Sequence, residues 1–127
     1  MVKRKKKTER QKLTDKLDDI IREMVRLRDK GICQKCGGQG SHVSHVVPRT
    51  NKGLRWDMDN VKLLCVRCHL YWWHKDVADA WTWFQAEFPY RADRIQSKRY
   101  KATHLTVAEM EALYDRLKMD YNKMQDK

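Results

Sequence analysis

Two cysteine pairs, Cys33-x-x-Cys36 and Cys65-x-x-Cys68, constrain this chain more than any other feature. Each pair presents two sulfurs from one tight turn, and four thiolates close a tetrahedral shell that suits zinc. No position stays open for water, so such an ion contributes folding energy rather than chemistry. Cys36 and Cys65 stand 29 positions apart, wider than the common zinc-ribbon spacing, so a structural unit must be inserted between the two knuckles. Cys33, Cys36, Cys65 and Cys68 are therefore read as ligands of a structural Zn²⁺, in a reducing compartment where disulfides are disfavoured.

A chain of 127 residues fits one compact domain with short arms. Its modest core gains from a metal staple. Charged residues reach 35% and the formal net charge is +11. A surplus of that size favours a polyanion, because each neutralised phosphate releases condensed counterions. Nucleic acid is the leading partner, and an anionic membrane surface is the competitor. No apolar run is long enough to span a membrane. The basic stretch Lys3 to Lys7 is not followed by the apolar core of a secretory signal. The pattern sets no oligomeric state.

The fold class expected is α+β: a small zinc-stapled, treble-clef-like core flanked by N-terminal and C-terminal helices. Residues 1–8 read as a disordered basic arm whose charges repel. Residues 9–30 read as a helix, with Leu13, Leu17, Ile21, Met24 and Leu27 at spacings of three and four and Gly31 as its left-handed C′ stop. Residues 31–88 hold the core and a following helix. Val43, Val46 and Val47 suggest one short strand and Val61 to Leu64 a second, with Pro48 to Asn60 as a loop between them. Trp73, Val77, Trp81, Phe84 and Phe88 form a stripe at helical spacing from about Arg67 or Cys68 on, with a break near Asp76 left open, and Trp72 and Trp73 are read as core rather than as base-stacking platforms. Residues 89–127 read as an irregular basic linker and a last helix, which opens on a capping box of Thr106 and Glu109.

Four of the five histidines fall between positions 42 and 74, around the second cysteine pair. The order His45-Val46-Val47-Pro48, then Asn60-Val61-Lys62-Leu63-Leu64-Cys65-Val66-Arg67-Cys68-His69, resembles the HNH (ββα-metal) endonuclease superfamily. The likeness covers residues 26 to 75 and includes the nine-residue step from Asn60 to His69 and the knuckle ending in Gly37. Arg26 to Asp29 before the first knuckle, and Leu54-Arg55-Trp56-Asp57 before the asparagine, look like the phage branch that includes Rap/NinG-type recombination endonucleases.

The resemblance implies hydrolysis of DNA phosphodiesters in a bacterial host cytoplasm, with phage recombination or branched-DNA processing as the setting. It makes His45 the general base, Asn60 the clamp behind that ring, and His69 the ligand of a catalytic Mg²⁺, Mn²⁺ or Ni²⁺. Ser44 stands where many family members place a second ligand. His74 is favoured to replace it, although five residues turn an α-helix by about 140°. His42 is the less favoured substitute, because a three-residue step along a strand points it away from His45's face, and a shell completed by water and DNA phosphate is the third possibility. Arg49, Lys52, Arg55, Lys62 and Arg67 are the expected DNA phosphate contacts. Ser44 also supports a rival, a non-catalytic zinc-dependent DNA-binding module, and a second rival is an accessory protein of a phage DNA-packaging machine that binds through its terminal helices.

Overall fold

The computed structural model describes residues 5–101 and 104–126, so residues 1–4 of the expected basic arm lie outside it. Helix α1 (Glu9–Arg28) starts where Thr8 accepts from the backbone N–H of Gln11 and Gln11 Oε1 accepts from the N–H of Thr8. That reciprocal cap satisfies two N–H groups that have no partner inside the helix. The apolar stripe buries Leu13, Leu17, Ile20, Ile21, Met24 and Val25, while Leu27 is exposed. The stop differs from expectation. Lys30 is the first left-handed residue (φ +58°), its N–H donating to Leu27, and Gly31 (φ +68°) follows and donates to Arg26. This is a Schellman closure with lysine at C′ and glycine one residue later.

Strand β1 (His42–His45) pairs antiparallel with β2 (Val61–Leu64), setting His42 opposite Leu64, Ser44 opposite Lys62 and His45 opposite Val61. All four residues of β2 are buried, because the two-stranded sheet is covered on both faces. Side chains alternate across it. Val61 and Leu63 join the core made with α1 and α5 (Val107–Gln125). Leu64 joins a second core with Trp73, Phe84, Ala92 and Ile95. The loop between the strands carries a short helix α2 (Lys52–Arg55) and a 3₁₀ turn (Met58–Asn60).

Beyond the second cysteine pair the chain forms a π-helical turn over Cys68–Trp73, then breaks, and α3 (Val77–Glu87) begins with Asp76 as its cap. The break that the sequence leaves open near Asp76 is present, so Trp73 to Phe88 lie on two elements, and Val77 is exposed at 68%. The irregular linker expected after Phe88 is corrected too: Pro89–Lys98 is a helix, α4. Proline at a first helical position is compatible with helix formation, since that N–H needs no partner. Only Ala92 and Ile95 of α4 are buried, too few to make a visible stripe. The last helix carries the expected capping box, with both Thr106–Glu109 bonds present.

Two ion pairs fix the frame. Asp29 accepts from Arg28 and from the backbone N–H of Leu63, and Arg28 also donates to the carbonyls of Met58 and Val61. The end of α1 is thereby tied to β2. Asp18 accepts both guanidinium bonds of Arg55 (3.0 and 2.6 Å) and the indole N–H of Trp56 (2.7 Å). Among the described residues, no helix is long and apolar enough to cross a membrane.

Candidate active site and metal centre

The four cysteine sulfurs lie within 4.8 Å of one another, and Cys36 Sγ is 3.8 Å from Cys65 Sγ. Four thiolates at about 2.3 Å from a tetrahedral zinc stand about 3.8 Å apart, so the cluster fits that ion. Each knuckle also aims a backbone N–H at a sulfur, Gly38 at Cys36 (3.4 Å) and Cys68 at Cys65 (3.3 Å). Burial and hydrogen bonds from the other three sulfurs push the Cys68 thiol well above its ordinary value. Four crowded thiols cannot all ionise without a cation to share. Gly40 packs against this centre so closely that a Cβ there would stand 2.6 Å from Leu63 Cδ2 and 3.0 Å from the Cys33 nitrogen. Gly40→Ala is expected to destabilise the fold by about 1–3 kcal/mol, read as a lower denaturation midpoint.

One cleft of about 1120 Å³ runs along β1, and His42, His45, His69 and His74 all line it. Asp18 and Arg22 of α1, Trp73, Ala80 and Trp81, and Arg49 and Arg99 complete its walls and rim. The π turn explains how His69 and His74 meet. The His74 N–H donates to the His69 carbonyl, an i to i+5 bond, and places His74 Nε2 3.0 Å from His69 Nε2. Such a turn brings residues five apart onto one face, which the 3.6-residue geometry does not. His42, the less favoured substitute on sequence grounds, also reaches His69, with 3.0 Å between their Nδ1 atoms. It does lie on the opposite strand face from His45, but that face is the one turned toward the π turn. Burial, then His74 and His42, hold His69 down to about 4, so its ring is neutral.

His45 presents one nitrogen to protein. Its Nε2 is 3.0 Å from the Arg55 carbonyl and so carries the proton. Nδ1 is left with its lone pair. Burial first, then the charges of Arg49 and Lys62, lower His45 to about 4 against the opposing Arg55 hydrogen bond. Its carbonyl accepts from the Trp73 indole at 3.2 Å, which ties β1 to the π turn.

Asn60 is fully buried. Its Oδ1 accepts from Val47 N–H (2.8 Å) and its Nδ2 donates to the carbonyls of Val47 and Leu54 (both 3.0 Å). Asn60 therefore clamps the loop that starts just after His45 and leads to Arg55, and it is the Arg55 carbonyl that holds the ring itself. Asn60→Ala strands a buried N–H and two carbonyls. A loss of about 2–5 kcal/mol is expected in chemical denaturation, at about 1–3 kcal/mol for each unsatisfied group with partial relaxation.

The expected phosphate contacts divide. Arg49 is exposed on the cleft rim, and Arg67 is exposed at the start of the π turn. Lys52 is half-buried, its Nζ 5.8 Å from the Trp56 ring centre. Arg55 is committed to Asp18 with a side chain only 13% exposed. Lys62 is corrected outright: it is 0% exposed, donates to Ser44 Oγ at 2.8 Å, and sits 3.1 Å from the centre of the Trp73 ring. Burial drives its amine well below the usual lysine value, with Asp29 opposing. Ser44 is equally buried, so its hydroxyl serves this lysine and not the cleft. Arg22 and Arg99 were not singled out in the sequence, because each lies on a helix far along the chain from the motif; the fold alone brings them to the cleft. Lys62→Met is expected to leave DNA affinity unchanged, whereas Arg49→Ala should weaken it and lower its salt-dependence slope by about 1. A DNA-binding titration at several salt concentrations checks both.

Residues 33–71 match the family model described as HNH endonuclease. A Lactococcus phage SK1 protein named "Probable HNH endonuclease" is 40% identical over 57 residues, a match that covers 39% of this chain and 61% of that relative. The chain thus spans about three-fifths of the length of the curated relative. No solved structure gives a significant match. The matched segment supplies both cysteine knuckles, His45, Asn60 and His69, and this part of the chain is similar to HNH endonucleases.

Proposed function

We propose that this protein is a metal-dependent endonuclease that hydrolyses DNA phosphodiester bonds. One observation carries the reading: a neutral, anchored His45 and the His69 imidazole line the same cleft, beneath a rim of arginines. Arg22, Arg49 and Arg99 supply positive charge where a phosphate backbone would lie, and such contacts position DNA without reading its sequence. His45 Nδ1 takes the proton of the attacking water, because Nε2–H is held by the Arg55 carbonyl. Asn60 keeps that carbonyl and the loop in place. A divalent ion held at His69 would polarise the scissile phosphate and stabilise the departing 3′ oxygen. The products are a 5′ phosphate and a 3′ hydroxyl. The phage-like motif flanks support DNA recombination or branched-DNA processing as the setting.

The test is incubation of supercoiled plasmid with the zinc-loaded protein and Mg²⁺, Mn²⁺ or Ni²⁺, followed by a panel of single-stranded, flap and four-way-junction DNA. Nicking by the wild type supports the reading. DNA binding without cleavage under every ion overturns it in favour of a zinc-dependent binding module.

The pH profile follows from His45. A ring held at about 4 stays neutral through the range where a free imidazole, near 6.5, would protonate. The acid limb of kcat/KM reports the free enzyme. It is expected well below 6.5, and Arg49→Ala should move it upward by removing a neighbouring positive charge. Stability moves in the same window. Below 6.5 the unfolded chain takes up a proton that the folded ring refuses, so stability falls as pH drops from 6.5 toward 4.

A further inference from the structure

We propose that His42 is the second protein ligand of the active-site ion, binding through Nδ1 together with Nδ1 of His69, while His74 fixes the tautomer of His69. The assignment rests on reading the cleft as a nuclease site and names the residues that complete it.

Two nitrogens that share an ion at about 2.0–2.1 Å lie about 2.9–3.4 Å apart for ligand angles between 90 and 109°. The His42 and His69 Nδ1 atoms are 3.0 Å apart. The other nitrogen of His69 faces His74 at the same distance. One imidazole cannot give both nitrogens to a single ion. A metal-bound histidine instead donates its second N–H to a partner, which sets tautomer and ring direction. Two assignments follow: the ion sits at Nδ1 beside His42 with His74 as the acceptor, or at Nε2 beside His74 with His42 as the acceptor.

Three observations favour the first. His42 is part of a paired strand, opposite Leu64, and the preceding Ser41 N–H donates to the Leu64 carbonyl at 3.0 Å. Its backbone is therefore held in place before any ion arrives. His74 is exposed and ends the π turn, just before the break to α3. The His42–His69 contact is half-buried, where the His69–His74 contact is exposed. Ser44, on the same face of β1 as His42, is closed off by Lys62 and competes for nothing.

Two neutral imidazoles prefer a transition metal to Mg²⁺. Nickel is accordingly the probe, titrated by calorimetry into the full, zinc-loaded chain. His42→Ala and His69→Ala are each expected to remove nickel binding. His74→Ala should weaken it by about 10–100-fold, the usual effect of losing an outer partner. His74→Gln, which can still accept from His69, should restore it, and His42→Gln should not. In the wild type, a second equivalent of Zn²⁺ should shift the ¹⁵N resonances of Nδ1 in His42 and His69 and leave His69 Nε2 protonated. That readout needs no variant to fold. Nickel binding unaffected in His42→Ala, or nitrogen shifts at His74 in place of His42, overturns the assignment and leaves His42–His69 as an ordering hydrogen bond. Nickel binding that needs His42 in a protein that never cuts DNA keeps the assignment and removes the nuclease reading. Cutting that survives His42→Ala does the reverse.

Discussion

Stripping the metal from Cys33, Cys36, Cys65 and Cys68 is expected to unfold the centre of the protein rather than only silence it. Structural zinc in small domains contributes about 10–16 kcal/mol of apparent binding energy at neutral pH. A whole domain is stable by only about 5–15 kcal/mol. An ion bound by the four cysteines would hold together the elements that make the cleft: one knuckle precedes β1, and the other joins β2 to the π turn. Cys33 and Cys68 are themselves part of the second core. Loss of zinc should therefore release Trp73 from its packing against Phe84, where their ring centres are 6.5 Å apart. Near-UV circular dichroism and tryptophan fluorescence should change together on chelation, and readdition of Zn²⁺ should reverse both. An unchanged melting curve in protein shown to be zinc-free would refute the staple. Cys68→Ser should behave like chelation.

The second large effect is expected at His45. His45→Ala should lower DNA cleavage by about 10²–10⁴-fold, the usual contribution of a positioned general base. DNA affinity should stay near wild type, because the ring is neutral at working pH and supplies no charge to phosphate. Single-turnover cleavage set beside a binding isotherm separates the two quantities. Cleavage by His45→Ala at the wild-type rate, in a preparation free of contaminating nuclease, would remove His45 from the mechanism.

The parts of the fold written in local pattern were legible. The strand Val61–Leu64, the stripe of α1 and the Thr106 capping box each depend on residues within a few positions of one another. The cysteine spacing announced the metal centre because ligand geometry leaves few alternatives. The failures share a cause in tertiary context. Lys62 looked like a phosphate contact because lysine is usually solvated, and only the sheet's double cover shows that its amine lies under Trp73. Arg55 likewise resembled a DNA contact until α1 supplied Asp18. His42 was ranked below His74 by a correct statement about strand faces, since the sequence does not say which element each face meets. The helix α4 carries two buried side chains, below what periodicity can register.

The extra residue accommodated in the turn from Cys68 to Trp73 works as a selector. In a regular α-helix, position 73 would lie about 40° from His69 and position 74 about 140° away, so an indole would face the imidazole. In the wider turn that neighbour is His74, and the indole swings beneath to cover Lys62. Removing a single exposed residue there, such as Tyr71, would place His74 four positions after His69, a step that a regular α-helix keeps on one face. The wide turn thus absorbs one residue without re-aiming the chain that follows it. A one-residue deletion at this point is expected to be milder than the same deletion in α1 or α3, where every later side chain would turn by about 100°.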